Sequence, residues 1–154
     1  MTISYRWLSE YLPISISVEK LSTILTSIGL EVESIETFEN FKGGLKGLVV
    51  GEVLEVTQHP NADLLRLTRV DIGEAEPLRI VCGAPNVAVG QTVLVATVGS
   101  TIYPLQGEPI TLRQSKIRGE ESQGMICAED ELGLGPSHDG ILLLPDGLKP
   151  GTPA

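Results

Sequence analysis

The sequence predicts a mainly β protein built around a small closed barrel, with a short segment in front of it that contains helices. The chain is 42% hydrophobic but only 4% aromatic, and its 17 glycines and 10 prolines are spread along its length. Such a composition is typical of many short strands joined by turns. At 154 residues, one domain of ordinary size can bury about two-thirds of its unfolded surface. A real core is therefore expected, and a helical bundle is not.

Residues 1–39 are predicted to form a small α+β segment. Apolar residues recur at helical spacing over residues 3–12, where a proline then stops the pattern. Ser17 is a suitable N-cap for a second helix, and Gly29 supplies the residue that commonly ends a helix. Residues 30–38 then alternate β-compatible side chains with glutamates, which predicts a strand with an acidic face.

Residues 40–47 are rich in glycine and predict a linker, and residues 48–154 are predicted to form the barrel. Gly51 lies where a long first strand could bend, and a shift in apolar parity predicts a bulge in the second strand. The strands predicted after the first one span residues 65–72, 78–82, 92–98, 110–118 and 141–144. Five or six short strands with bulges favour a Greek-key barrel of the oligonucleotide-binding kind. A β-sandwich is the alternative, and closure of the sheet distinguishes the two.

The charge of the chain excludes one class of function and leaves a narrower one open. A formal net charge of −9 argues against wrapping of nucleic acid by the whole chain, because phosphate binding depends on Lys and Arg. From residue 66 to residue 118, however, six basic residues outnumber four acidic ones, a local balance of +2. A local basic patch remains possible.

The tightest cluster of positive charge lies between Leu112 and Met125. Arg113, Lys116 and Arg118 fall within six positions, and a polar turn that contains Ser122 follows them. A cationic strand beside a polar corner suits single-stranded RNA, which is held by a cationic groove with polar contacts. The alternative is an ordinary solvated strand face.

Other chemistries find little support in the sequence. No phosphate-binding loop pattern occurs, and His59 and His138 are too isolated for a metal pair or a catalytic dyad. Cys82 and Cys127 lack partners at metal spacing and are predicted to be buried, reduced thiols. No catalytic or metal-binding residue is predicted. No apolar run approaches the ~20 residues of a membrane span, and a reducing cytoplasm is the expected location.

Several short motifs resemble those of the tRNA-binding domain family. They are Val50–Val53, His59–Asp63, Ile80–Val87, Ser115–Gly119 and Ser122–Met125. The motifs occur in the family's order and cover about residues 48–134. The family includes tails of methionyl-tRNA synthetases, free-standing tRNA-binding proteins and a barrel near the start of bacterial phenylalanyl-tRNA synthetase beta subunits. The resemblance implies an oligonucleotide-binding barrel that contacts tRNA.

Residues 1–33 resemble the amino terminus of the phenylalanyl beta-subunit family, whereas free-standing members begin at the barrel. This resemblance implies an amino-terminal fragment of a longer protein that continues into editing, structural and anticodon-reading domains. The implied function is a non-catalytic tRNA-binding module that supports aminoacylation in translation. One alternative is a structural or protein-interaction module that does not contact RNA. Another is a free-standing, dimeric RNA-binding or chaperone-like member.

The resemblance also implies a site, partners and cofactors. The implied tRNA-binding residues are Asn86, Ser122 and Met125, flanked by Arg113, Lys116 and Arg118. The implied partners are tRNA, bound weakly by this segment alone, the synthetase alpha subunit and the remaining beta-subunit domains. No membrane partner is implied. No cofactor is expected in this segment, whereas the parent enzyme would use ATP and magnesium.

Overall fold

The structure, a computed structural model, describes residues 1–13 and 15–154. The chain divides into two compact units, Met1–Phe38 and Glu39–Ala154. The first unit contains two helices, and the second contains a barrel with two small hairpins attached to it.

The helices of the first unit are α1, Tyr5–Tyr11, and α2, Val18–Ser27. Ser4 and Ser17 cap them, because each side-chain oxygen accepts a hydrogen bond from the backbone N–H three residues later. Both predicted helices are confirmed. The strand predicted over residues 30–38 is wrong, since this segment contains neither helix nor strand. No neighbouring strand pairs with it, and β propensity alone does not form a ladder.

The segment predicted as a linker is a folded turn in the second unit. Lys42–Leu45 forms a short 3₁₀ turn in which Gly43 has a φ of +80°. A Cβ atom at Gly43 would collide with the ring of Tyr103. The glycine is therefore required both by its backbone conformation and by its close packing against the barrel.

The barrel sheet has the strand order β3-β2-β1-β4-β9, and all its neighbouring strands are antiparallel. Two further pairs, β5 with β6 and β7 with β8, form small hairpins. The strands are β1 Leu48–Gln58, β2 Arg66–Asp71, β3 Leu78–Cys82, β4 Thr92–Thr97, β5 Thr101–Ile102, β6 Ile110–Thr111, β7 Ser115–Ile117, β8 Glu120–Ser122 and β9 Gly124–Ile126.

Three details of the predicted strands differ from the structure. The register shift lies in β1, between Val53 and Glu55, and not in β2. The strand predicted over residues 110–118 is divided into β6 and β7. The strand predicted over residues 141–144 forms only isolated bridges. A change in the odd–even pattern of apolar residues indicates a bulge in one of two paired strands. The pairing between the strands determines which of them contains the extra residue.

The core lies inside the barrel and is filled by aliphatic side chains. Val53, Val70, Val93 and Val95 are fully buried at its centre. A Cβ atom at Gly51 would lie 2.7 Å from a methyl group of Val70 and 2.8 Å from one of Val95. Close packing therefore explains this glycine, where the sequence suggested a bend.

Side chains help to close the barrel between β3 and the start of β9. We call this region the barrel seam, and it consists of Arg79, Val81, Ser122 and Gln123. The backbone N–H of Gln123 donates to the Arg79 carbonyl at 2.8 Å. In return, the Arg79 N–H donates to the Gln123 Oε1 at 2.9 Å, and the Val81 N–H donates to the Ser122 Oγ at 3.1 Å. Side-chain oxygens thus replace backbone carbonyls in the ladder. The nearly closed sheet confirms the predicted barrel over a sandwich.

Candidate nucleic-acid interface

Residues 115–122 form a tight hairpin, which consists of β7, β8 and a loop of Arg118 and Gly119. It contains Glu120 and Glu121 as well as Lys116 and Arg118, and we call it the basic hairpin after its two cations. The loop residues have φ values of +52° and +96°, and positive φ at both positions is what a type I′ turn requires. Glycine adopts this conformation without strain, but arginine does not. The surrounding structure must therefore hold Arg118 in place.

His59 and Asn61 hold the tip of the basic hairpin from the loop between β1 and β2, and we call these two residues the His59 clamp. His59 is only 2% exposed. Its Nδ1 accepts a hydrogen bond from the Asn61 N–H at 3.0 Å, so the ring proton lies on Nε2. That nitrogen donates to the Ile117 carbonyl at 3.1 Å, and Asn61 Nδ2 donates to the Arg118 carbonyl at 3.3 Å. The sequence indicated only a turn residue at His59.

The structure leaves the predicted cationic side chains unpaired. Arg113, Lys116 and Arg118 are all exposed. In the described parts of the chain, the one ion pair within 4.0 Å joins His138 to Asp130. Lys116 and Arg118 lie on the basic hairpin, and Arg113 lies before it. Lys116 lies opposite Glu121 in the hairpin, but the two do not form an ion pair within 4.0 Å.

The other three predicted site residues do not form a common pocket with free polar atoms. Ser122 is 2% exposed, and its hydroxyl donates to the Gly124 carbonyl at 3.0 Å while it accepts from the barrel seam. Met125 lies opposite Ala96 on β4 and packs against the core. A contact between either side chain and RNA stays a prediction.

Asn86 fastens the loop after β3 to the carboxy-terminal part of the chain. Its Nδ2 donates to the Ile141 carbonyl at 3.1 Å, and its Oδ1 accepts from the Ile141 N–H at 2.9 Å. A Cβ atom at Gly140 would collide with this amide. Both ends of the Asn86 side chain are therefore engaged within the protein. Its role in binding RNA also stays a prediction.

The structure brings together two arginines that the predicted site did not include. Arg69 on β2 lies directly opposite Arg79 on β3, and both are exposed. Leu67 and Val81, the next outward pair, are half-buried beside them. The alternation of apolar and polar residues in the sequence indicates which side chains of β2 and β3 face outward. It does not indicate which residues of the two strands lie opposite each other.

The two cysteine thiols of the chain are both buried. Burial, followed by the charge of Glu131, raises the pKa of the Cys127 thiol to about 12. Burial also raises the pKa of Cys82, and neither thiol forms a disulfide. Outside Ile14, no group of three or more potential ligands is placed to hold a metal ion. Over the same residues, every helix is too short or too polar to cross a membrane.

Comparison with protein families gives a match over the barrel. The family model described as "Putative tRNA binding domain" matches residues 48–153. Among curated proteins, the phenylalanine–tRNA ligase beta subunit of Bacteroides fragilis is 55% identical over 152 residues. The beta subunit of Porphyromonas gingivalis is 54% identical over 154 residues. The matches cover 99% and 100% of this chain but only 18% and 19% of those proteins.

A solved structure supports the fold. The MetRS related protein from Pyrococcus horikoshii superposes with a TM-score of 0.53 and 20% sequence identity. The match covers 78% of this chain and 99% of that protein. At this identity the likeness concerns the barrel fold alone.

Proposed function

Because the chain belongs to the tRNA-binding domain family, whose model matches residues 48–153, we propose that it is a non-catalytic tRNA-binding module. We further propose that it serves in the beta subunit of a cytoplasmic phenylalanine–tRNA ligase and supports aminoacylation there. Its partners would be tRNA, the alpha subunit and the other beta-subunit domains. ATP and magnesium would be used elsewhere in the parent enzyme. The observation that carries the proposal is a nearly closed barrel with two exposed cations, Lys116 and Arg118, that have no ion-pair partner within 4.0 Å in the described chain.

The proposed contacts are electrostatic and weak. Arg113, Lys116 and Arg118 would meet phosphates, while Asn86, Ser122 and Met125 would support the same surface from positions within the fold. Three phosphate contacts predict a log–log salt slope of about −2 for a single strand. The net charge of −9 opposes binding at long range. Affinity for tRNA should therefore fall steeply as salt is added.

The test is a titration of bacterial phenylalanine tRNA with the chain at low salt, followed by fluorescence anisotropy. Lys116→Glu/Arg118→Glu should weaken binding at least about tenfold, because it replaces two phosphate-binding cations with repelling carboxylates. The matched control is Lys42→Glu/Lys46→Glu, which makes the same change in charge elsewhere on the barrel unit. Equal losses in both variants would show that only net charge matters. No binding by the wild-type chain at millimolar concentration would reject the function.

A second candidate, a protein-interaction module within the synthetase, is favoured by the apolar surface of the first unit. Trp7 is 62% exposed, Tyr11 73%, Ile28 67% and Leu30 60%. Co-expression with a ligase alpha subunit tests this candidate. If it is correct, Trp7→Ser/Tyr11→Ser should prevent co-purification and Lys116→Glu/Arg118→Glu should not.

A further inference from the structure

We propose that one end of the barrel binds a small apolar amino acid, such as leucine, as a zwitterion. This end, which we call the barrel mouth, opens into a cavity of about 850 Å³. Binding sites for small molecules are commonly clefts of about 300–1,000 Å³, and the mouths of β-barrels are one of their usual places. The cations proposed to meet RNA are not among the residues that line this cavity. The inference therefore goes beyond the proposed function and does not rest on it.

The barrel mouth is surrounded by the chain on every side. At this end β1 lies between β4 and the carboxy-terminal segment, because Val49 is opposite both Val95 and Pro153. β9 follows β4 in the sheet, and the barrel seam connects β9 to β3. A Cβ atom at Gly73, after β2, would lie 2.8 Å from the Pro150 carbonyl oxygen. This close approach completes the ring, so a ligand in the cavity has neighbours all around it.

The floor of the barrel mouth is apolar. Val49 on β1 and Leu78 on β3 are half-buried and pack against the core. Ile72, directly after β2, is 5% exposed and lines the same cavity. The buried valines at the centre of the core fill the barrel below these side chains. The cavity is therefore a cup with an apolar base, which suits an aliphatic side chain of a few carbons.

Two donors at the rim suit a carboxylate. Gln123 is half-buried, and its Oε1 is held by the Arg79 N–H at 2.9 Å. The Nε2 of the same amide has no protein acceptor in the described chain, so its two hydrogens remain for a ligand. Lys149 lines the same cavity and has no ionic partner within 4.0 Å among the described residues. An ammonium and a fixed amide donor that line one cavity are both partners for a carboxylate.

Glu74 adds a charge of the opposite sign to the rim. It is exposed, lines the cavity and has no cationic partner within 4.0 Å in the part of the chain that the structure describes. The contact between Gly73 and Pro150 places Glu74 and Lys149 on the same part of the rim, because each is the next residue along the chain. A simple anion would be repelled by Glu74, whereas a zwitterion meets both charges. Together with the apolar floor, this arrangement favours an apolar amino acid.

The test is an NMR titration of the ¹⁵N-labelled chain with L-leucine. We expect saturable binding with a Kd of about 1 mM, the weak affinity of a ligand with few atoms. The largest shift changes should occur at the backbone amides of Val49 and Leu78 and at the side-chain amide of Gln123. Leucinamide lacks the carboxylate and N-acetyl-leucine lacks the ammonium, so each should bind at least about fivefold more weakly.

Gln123→Glu separates the proposed contact from the stability of the barrel. The glutamate keeps an oxygen for the backbone N–H in the barrel seam, but it replaces the amide donor with a carboxylate that repels the ligand. Leucine should bind at least about tenfold more weakly, while the thermal midpoint stays near that of the wild type. Glu74→Gln and Lys149→Met should each weaken binding about threefold to fivefold. The matched controls, Glu108→Gln and Lys116→Met, remove the same charges outside the cavity and should leave leucine binding unchanged.

Three results would overturn the inference. No shift change up to about 50 mM leucine would show that the barrel mouth does not bind amino acids. Equal binding of leucine, leucinamide and N-acetyl-leucine would show that the charged groups of the ligand are not recognised. Equal losses in the cavity variants and in their matched controls would show that only net charge matters. Each of these results leaves the proposed function in place, because that function is measured separately by the tRNA titration.

Discussion

The two ends of the basic hairpin have opposite relations to the rest of the protein. At the barrel seam, Ser122 and Gln123 direct their polar atoms at the backbone of β3 and complete its hydrogen bonds. Towards the tip, Lys116 on β7 and Arg118 in the loop are exposed, and neither has an ionic partner within 4.0 Å among the described residues. One short element thus contains polar groups that close the barrel and polar groups that face solvent.

This difference shows why a cluster of polar residues should not be treated as a single site. A buried polar group left without a partner costs about 1–3 kcal/mol, so changes at the barrel seam should appear in stability. An exposed cation contributes little to folding, and its removal should appear in binding. Substitutions at the seam and substitutions near the tip should therefore have different effects on stability and on binding.

The largest effect on stability is expected for Ser122→Ala. The substitution leaves the Val81 N–H and the Gly124 carbonyl without their partner at a position that is 2% exposed. Two such losses should lower the free energy of unfolding by about 3 kcal/mol. Urea denaturation followed by circular dichroism measures this change.

Ser115→Ala is the matched control, because Ser115 lies directly opposite Ser122 on the same hairpin but is exposed. It should change the free energy of unfolding by less than about 0.5 kcal/mol. If the two substitutions cost the same, the barrel seam does not depend on the Ser122 hydroxyl.

A smaller and more local effect is expected for His59→Ala. The substitution removes the His59 clamp's bond to the Ile117 carbonyl and leaves a space where the ring is buried. We expect a loss of about 2 kcal/mol, concentrated at the hairpin tip. Cleavage by trypsin after Lys116 and Arg118 should become tenfold or more faster. Weaker tRNA binding should accompany it if the tip makes the contact.

Gln58→Ala separates the His59 clamp from general loosening of its loop. The Gln58 amide donates to the carbonyls of Ala62, Asp63 and Leu65 within that loop, and none of these bonds reaches the hairpin. Trypsin cleavage after Arg118 should therefore stay slow in this variant. Equal acceleration in both variants would mean that loop order, and not the His59 ring, holds the tip.

Much of the fold could be predicted from the sequence because it depends on local patterns. Ser17 and Gly29 mark the two ends of a helix in the sequence. The alternation of apolar and polar residues predicted the central strands, and the number of strands and their bulges predicted a barrel. The strand predicted over residues 30–38 failed because a strand needs a neighbour. The division of residues 110–118 into two strands depends on distant partners in the same way.

The candidate site was predictable only in its charged part. The cluster of Arg113, Lys116 and Arg118 is visible in the sequence because its members are neighbours along the chain. Arg69 and Arg79 are ten positions apart in the sequence and lie on different strands. Only the register between β2 and β3 brings them opposite each other. The engagement of Ser122 in the barrel seam and the clamp at His59 depend on hydrogen bonds that a single sequence does not indicate.

The smallest effect is expected from the ion pair between His138, which is exposed, and Asp130, which is half-buried. Hydrogen bonding to Asp130, at 3.0 Å, and its negative charge raise the pKa of His138 above 6.5. Because the pKa of His138 is higher in the folded chain than in the unfolded chain, protonation stabilises the folded state. This stabilisation is fully present below the pKa of the unfolded chain and disappears as the pH rises through the pKa of the folded chain. NMR titration of the His138 ring should show this shift, and Asp130→Asn should reverse it. Because the His138 ring is mostly in solvent, the ion pair contributes little to stability. The thermal midpoints of Asp130→Asn and the wild type, at pH 5 and at pH 8, should therefore differ less than those of Ser122→Ala and the wild type. A larger difference would show that surface groups stabilise this barrel as strongly as its seam does.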